Sequence, residues 1–196
     1  MDQQNELSAH SSLALIESMI NKAQNQFSEN GTLYLVWGWV VSICSLGQYL
    51  LLKLNMTNFK QSGFIWLMTI PVMIYQIFFL IQKKKTEKVK TYTDEIIGYV
   101  WMTFGICMGL FSYIMAMLQI WNLFYPFIFL FYGIPTFLSG AIMRFKPLMV
   151  GGIICWVLSL VSVQIHSIEV ILLLIPAVLF GWIIPGYLLR ARFKSA

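Results

Sequence analysis

Six stretches of the chain, at 33–52, 64–81, 97–118, 123–143, 148–163 and 168–189, run for sixteen to twenty-two residues with Glu169 as the one charged side chain among them. Crossing a hydrocarbon core of about 30 Å at about 1.5 Å per helical residue takes about 20 mostly apolar residues, so each stretch has the length and character of a transmembrane helix. Composition agrees. The chain is 59% hydrophobic and 11% charged, against about 45–50% apolar and about 25% charged in a soluble domain, and a water-exposed globule of this size cannot hide that much apolar surface. The expected fold is all-α, a polytopic membrane protein of six transmembrane helices. Stretches four and five are the least regular: Pro126 and Pro135 interrupt one, and the other has only sixteen residues. A re-entrant hairpin over 123–163 is the alternative there.

Charge placement supports six full crossings. Basic residues of short loops are retained on the cytoplasmic side. With both termini cytoplasmic, that side receives Lys22, Lys83, Lys84, Lys85, Lys88, Lys90, Arg144, Lys146, Arg190, Arg192 and Lys194, leaving Lys53 and Lys60 outside. Omitting one crossing would move the later basic clusters to the wrong face. The net charge of +5 is then a sorting signal, and no nucleic-acid partner follows from it. The run containing Lys83, Lys84, Lys85, Lys88 and Lys90 is expected to lie against anionic lipid headgroups, at about 1 kcal/mol per basic residue. The chain divides into a cytoplasmic leader at 1–31, a transmembrane bundle at 32–190 and a basic cytoplasmic tail at 191–196.

The leader contains Asp2, Glu6, Glu17 and Glu29 and lacks the basic start, short apolar core and cleavage site of a secretory signal, so the first span is expected to act as an uncleaved address. Within it Leu13, Ile16, Ile20, Ala23 and Phe27 recur at spacings of three and four, the stripe of an amphipathic helix. Ser11 or Ser12 can cap its start and Asn30-Gly31 its end. Leu13, Ile16, Ile20 and Phe27 form either a partner-binding or self-associating face, or a face that packs on the bundle itself. The loop at 82–95 is the second cytoplasmic surface: Val89, Tyr92, Ile96 and Tyr99 carry a helical stripe out of it into span three.

Inside a bilayer, helices associate through close backbone approach at small residues. Span three places Gly98, Gly105, Gly109, Ser112 and Ala116 in one register, and span five places Gly151, Cys155, Ser159 and Ser162 in another. These read as helix-packing faces, with the span-three face expected to be used inside the bundle and contact with another copy as the alternative. Pro71, Pro135, Pro176 and Pro185 each remove a backbone donor and invite a kink. Pro71 and Pro135 stand sixty-four residues apart, as do Trp37 and Trp101, but Pro185 breaks the period, so an internal hairpin repeat competes with coincidence. Tyr34, Trp37, Trp39, Trp66, Tyr99, Trp101, Trp121 and Tyr125 lie near span ends, where amphipathic rings anchor at headgroup level. Trp156 and Trp182 lie deeper and are assigned to packing, or to a pocket for an apolar ligand.

Chemistry-bearing residues are sparse. His10 and His166 fall in the leader and an outer loop, on opposite membrane faces. Cys44, Cys107 and Cys155 sit in different spans without a Cys-x-x-Cys spacing, and read as buried small thiols. No phosphate loop, nucleophile elbow or paired carboxylates occur in the sequence. No Asp, Glu, Lys, Arg or His lies near an expected midplane, where ion-coupled carriers keep charge. Polar residues gather instead at the outer edge, where Gln164, His166 and Glu169 could form a pH-responsive spot. No cofactor and no metal site is expected.

With its polar leader, its Trp37-Gly38-Trp39 start to span one, and the stretch from Lys90-Thr91-Tyr92 through Asp94-Glu95 to Tyr99-Val100-Trp101, the whole chain resembles a type of small six-span bacterial inner-membrane protein to which no activity is attached. The resemblance implies a bacterial inner-membrane location and carries over no functional residue. The expected function is that of a non-enzymatic accessory or regulatory membrane component acting through the leader and the 82–95 loop. Its partners are membrane lipids together with another copy of the chain or a membrane or cytosolic protein. A small transporter or channel for an uncharged or lipid-like solute is the main alternative, and a membrane-embedded enzyme without a recognisable motif the third.

Overall fold

The computed structural model describes residues 31–86 and 92–195, all of whose regular structure is helical. The leader stripe of Leu13, Ile16, Ile20 and Phe27 lies outside the described residues, as do Lys88 and Lys90. Eight α-helices form: α1 (Thr32–Lys53), α2 (Phe59–Ser62), α3 (Thr69–Thr86), α4 (Tyr92–Leu118), α5 (Phe124–Ile142), α6 (Lys146–Ser162), α7 (Leu174–Val178) and α8 (Ile184–Ser195). A 3-10 segment, Gly63–Met68, joins α2 to α3 into one rod. A second 3-10 segment, Ile168–Leu173, leads into α7, and a π segment, Leu179–Ile183, joins α7 to α8. The result is six antiparallel rods. Five are long and apolar enough to cross a membrane, and the sixth, α6, is an apolar helix of 17 residues. Residues 124–162 form two helices, Phe124–Ile142 and Lys146–Ser162, joined by a tight turn.

Proline placement explains where the rods change character. Pro71, Pro126 and Pro176 are third residues of α3, α5 and α7, and Pro147 and Pro185 are second residues of α6 and α8. The first turn of a helix has no internal use for those N–H groups, so proline is tolerated there. Pro71, Pro176 and Pro185 therefore mark the joints at which 3-10 or π backbone passes into α. Pro135 alone lies inside a helix.

Three rods end on residues other than glycine in left-handed conformation: Asn55 (φ 52°), Gln119 (φ 56°) and Arg144 (φ 50°). Such a φ costs an L-residue about 1–2 kcal/mol. The turns that follow recover part of it by satisfying terminal carbonyls. After α1, Met56 N–H donates to Leu51 O and Asn55 N–H to Leu52 O, both at 3.1 Å; after α5, Phe145 N–H donates to Gly140 O (2.8 Å) and Arg144 N–H to Ala141 O (3.1 Å). The rod of α2 and α3 starts earlier than its hydropathy suggests. Asn58 and Gln61 form a capping box, with Asn58 N–H donating to Gln61 Oε1 at 3.4 Å.

The rod at 168–195 is the axis of the packing. It lies antiparallel to α1, which touches it at Gly38 against Ile183 and at Ser45, whose hydroxyl donates to Ile171 O at 2.7 Å. On its other side α6 runs antiparallel, with Gly151 against Phe180 and Gly181 and the Cys155 thiol donating to Ala177 O at 3.7 Å. The hairpin of α5 and α6 completes the centre, with Gly133 against Trp156 and Gly140 against Leu148 and Met149. Burial falls away from this axis. Half of the apolar stretch in 168–192 and half of that in α5 is buried, against 11% in α4 and none in the rod of α2 and α3. The latter rod lies along α1, and α4 lies along α5.

Candidate functional site

The polar groups inside the bundle are spent on holding rods together. Gln48, 4% exposed, is a hub near the Lys53 end. Its Oε1 accepts from Trp66 Nε1 (2.8 Å) and the Tyr125 hydroxyl (3.4 Å), and its Nε2 donates to Ser62 Oγ (3.3 Å). One side chain therefore ties α1 to both α2 and the start of α5. A second Trp–Gln pair, Trp37 Nε1 to Gln76 Oε1 at 2.8 Å, ties α1 to α3. In the hairpin of α5 and α6, the Ser159 hydroxyl donates to Pro126 O at 2.7 Å. Ser139 Oγ is buried without a hydrogen-bond partner.

Aromatic side chains form the second core system. The rings of Trp101 and Trp182 stand 6.0 Å apart, those of Tyr132 and Trp182 4.8 Å, those of Tyr34 and Trp101 5.7 Å, and those of Phe104 and Tyr132 5.8 Å. Trp182 Nε1 donates to Thr136 Oγ1 at 2.9 Å, which meets the need of a buried indole for a partner. The π segment carries this residue. Tyr34 and Trp101 belong to this core, where Trp101 of α4 packs on Tyr34 and Trp182, and Tyr125 is buried against Gln48 at the other end. Trp156 is partly buried, stacked near Phe137 at 5.2 Å and hydrogen-bonded to Leu130 O at 3.3 Å. Trp182 is 4% exposed among these neighbours, whereas Trp156 is only half-buried.

The two small-residue faces meet opposite fates. Gly151, Cys155 and Ser159 all sit at contacts of α6 with the 168–195 rod or with α5. A Cβ on Gly151 would stand 2.5 Å from Phe180 O and 2.6 Å from Gly181 Cα, so the backbones touch. On α4 the expected use inside the bundle is not what the fold makes. Among the described residues a Cβ on Gly98, Gly105 or Gly109 would meet nothing within 4 Å, and Ser112 and Ala116 are exposed on the same side. The reason lies in the opposite side of α4, where Ile97, Phe111 and Met115 are buried and Phe111 packs on Phe124, Phe127 and Phe131. Bulky aromatics win the inward face because α5 offers them partners. The glycines turn outward, flanked by exposed Met102, Ile106, Leu110 and Tyr113.

At the Lys53 end, of the three polar residues expected to share one spot, Gln164 and His166 meet and Glu169 has other partners. His166 Nδ1 stands 3.2 Å from Gln164 O in an exposed loop, whereas Glu169 bonds to Ser167 and interacts electrostatically with Lys53, which also lies 5.2 Å above the Tyr49 ring. At the opposite end Arg144, Lys146 and Arg190 are exposed, and Lys83, Lys84 and Lys85 close α3 as helix. Among the described residues no group of three His, Cys, Asp or Glu is placed to hold a metal ion. No protein-family model matches the chain, and no curated protein or solved structure is significantly similar to it.

Proposed function

We propose that this protein is a non-enzymatic, multi-pass component of a bacterial inner membrane, with both termini cytoplasmic, that acts as an accessory or regulatory subunit by accepting a transmembrane helix of another protein along α4. The observation that carries the reading is the open face of Gly98, Gly105 and Gly109. In lipid there is no hydrophobic force between helices, and close backbone approach at small residues is what makes a contact. Glycines at Gly38, Gly133, Gly140 and Gly151 are filled by neighbouring rods, so the unfilled set on α4 suits a partner from outside the chain. The leader and the 82–95 loop are proposed as further cytoplasmic contact surfaces. The partner is a membrane protein helix, with a second copy of this chain as the self-associating variant.

Photo-cross-linking in cells tests this. A photoreactive residue at Met102 or Ile106, flanking the glycines, is expected to give a discrete protein adduct that Gly105→Leu abolishes, whereas the same probe at the exposed Met73 of α3 gives none. An adduct at twice the mass of the chain assigns the partner to a second copy. Lipid adducts alone at Met102 and Ile106, or protein adducts indifferent to Gly105→Leu, would remove α4 as the docking helix.

A further inference from the structure

The rod of α2 and α3 is attached to the bundle unevenly along its length. At the Lys53 end the 3-10 segment is pinned to α1 three ways: the Cys44 thiol donates to Ile65 O at 3.6 Å, Ile65 fills the space beside Gly47, and Trp66 bonds to Gln48, which also holds Ser62. At the far end the tie described between α1 and α3 is the hydrogen bond from Trp37 to Gln76. Between the two lies an apolar groove of about 220 Å³, half open to the outside, lined by Val40, Ile43, Met68, Pro71 and Val72, of which Ile43, Met68 and Pro71 are exposed. Such a lining offers no polar partner to order water. Pro71 sits at the joint between the pinned segment and α3, and it leaves Leu67 O without the donor a continuous helix would give it.

From this asymmetry we propose that α3 is a hinged flap. It is fixed to α1 through the 3-10 segment, pivots at Pro71, and is latched by the Trp37–Gln76 hydrogen bond, whose release widens the groove between α1 and α3. Interhelical hydrogen bonds in membrane proteins are weak enough, at about a threefold change in population each, that such a latch opens reversibly. The pinned end cannot follow, because its contacts include backbone and a buried glutamine hub.

Distance measurements between spin labels on the full chain in lipid nanodiscs test the flap. With Cys44→Ser, which keeps a donor for Ile65 O, and with Cys107→Ala and Cys155→Ala, one label pair at the exposed Trp39 and Ile77 reports the latch end, and another at Leu46 and Leu67 reports the hinge end. Gln76→Leu is expected to enlarge a longer-distance population at the latch pair by about threefold and to leave the hinge pair unchanged. Trp37→Phe, which keeps the ring and removes the donor, is expected to do the same. An unchanged latch pair in either variant overturns the latch, and movement of both pairs together overturns the hinge.

Discussion

Replacing Gly151 and Gly105 by alanine, separately, asks whether the two glycine faces differ as sharply as their surroundings do. At Gly151 the added methyl would stand 2.5 Å from the Phe180 carbonyl oxygen and 2.6 Å from Gly181 Cα, where ordinary contact is 3.4–4 Å. Both obstacles are backbone, so α6 and the π segment must separate by close to an ångström. Forcing extra volume into a packed contact costs about 1–3 kcal/mol, partly offset by the advantage of alanine over glycine in a helix, at most about 1 kcal/mol. The net expectation for Gly151→Ala is a loss of about 1–2 kcal/mol, a factor of about 5–30 in the folded-to-unfolded ratio. At Gly105 the methyl meets nothing, so only the propensity gain acts and the isolated chain is unchanged or slightly more stable. Unfolding in mixed micelles by increasing sodium dodecyl sulfate, followed by tryptophan fluorescence and helical circular dichroism, measures both variants against the parent. Equal destabilisation by Gly105→Ala would refute the outward placement of the α4 glycines. An unaffected Gly151→Ala protein would refute the backbone contact between α6 and the 168–195 rod.

Thr136→Val leaves the Trp182 indole N–H without its acceptor in the core and is expected to lower stability by about 1 kcal/mol in the same titration, whereas Thr136→Ser keeps the oxygen and costs less. For the orientation proposed above, single cysteines at Lys60 and Arg144, in a background lacking the native thiols, are expected to react with a membrane-impermeant maleimide from opposite sides of the membrane, Lys60 from outside; labelling of both from one side would break the six-span arrangement.

The rods were legible in the sequence because a long uncharged apolar run has few physical alternatives, whereas their ends were not. Helix ends at Asn55, Gln119 and Arg144 depend on a left-handed residue that carries no glycine signature, and at Asn55 and Arg144 paired carbonyl contacts of the turn make it acceptable. Asn58 and Gln61 did carry a legible signal, an Asn-x-x-Gln capping box, that hydropathy alone overlooks. Proline was legible as a place of irregularity but not as to its kind. Whether it kinks a helix, as an interior residue such as Pro135 can, or opens a new segment, as Pro71, Pro176 and Pro185 do, depends on the backbone before it.

The α4 face shows a deeper limit. Gly98, Gly105 and Gly109 share a register with Ser112, and small residues at that spacing favour close packing wherever a second helix is present. The same helix presents Phe111 and Met115 on its other side, and a sequence does not say which of two competent faces its own neighbours will take. That choice is made by α5, whose Phe124, Phe127 and Phe131 accept Phe111 at ring distances of 5.3–5.8 Å. Once the aromatic face is satisfied by α5, the glycine face meets no rod among the described residues. The accessory role proposed above rests on this division: one face of α4 secures the bundle, and the other keeps the geometry of a helix contact while making none among the described residues.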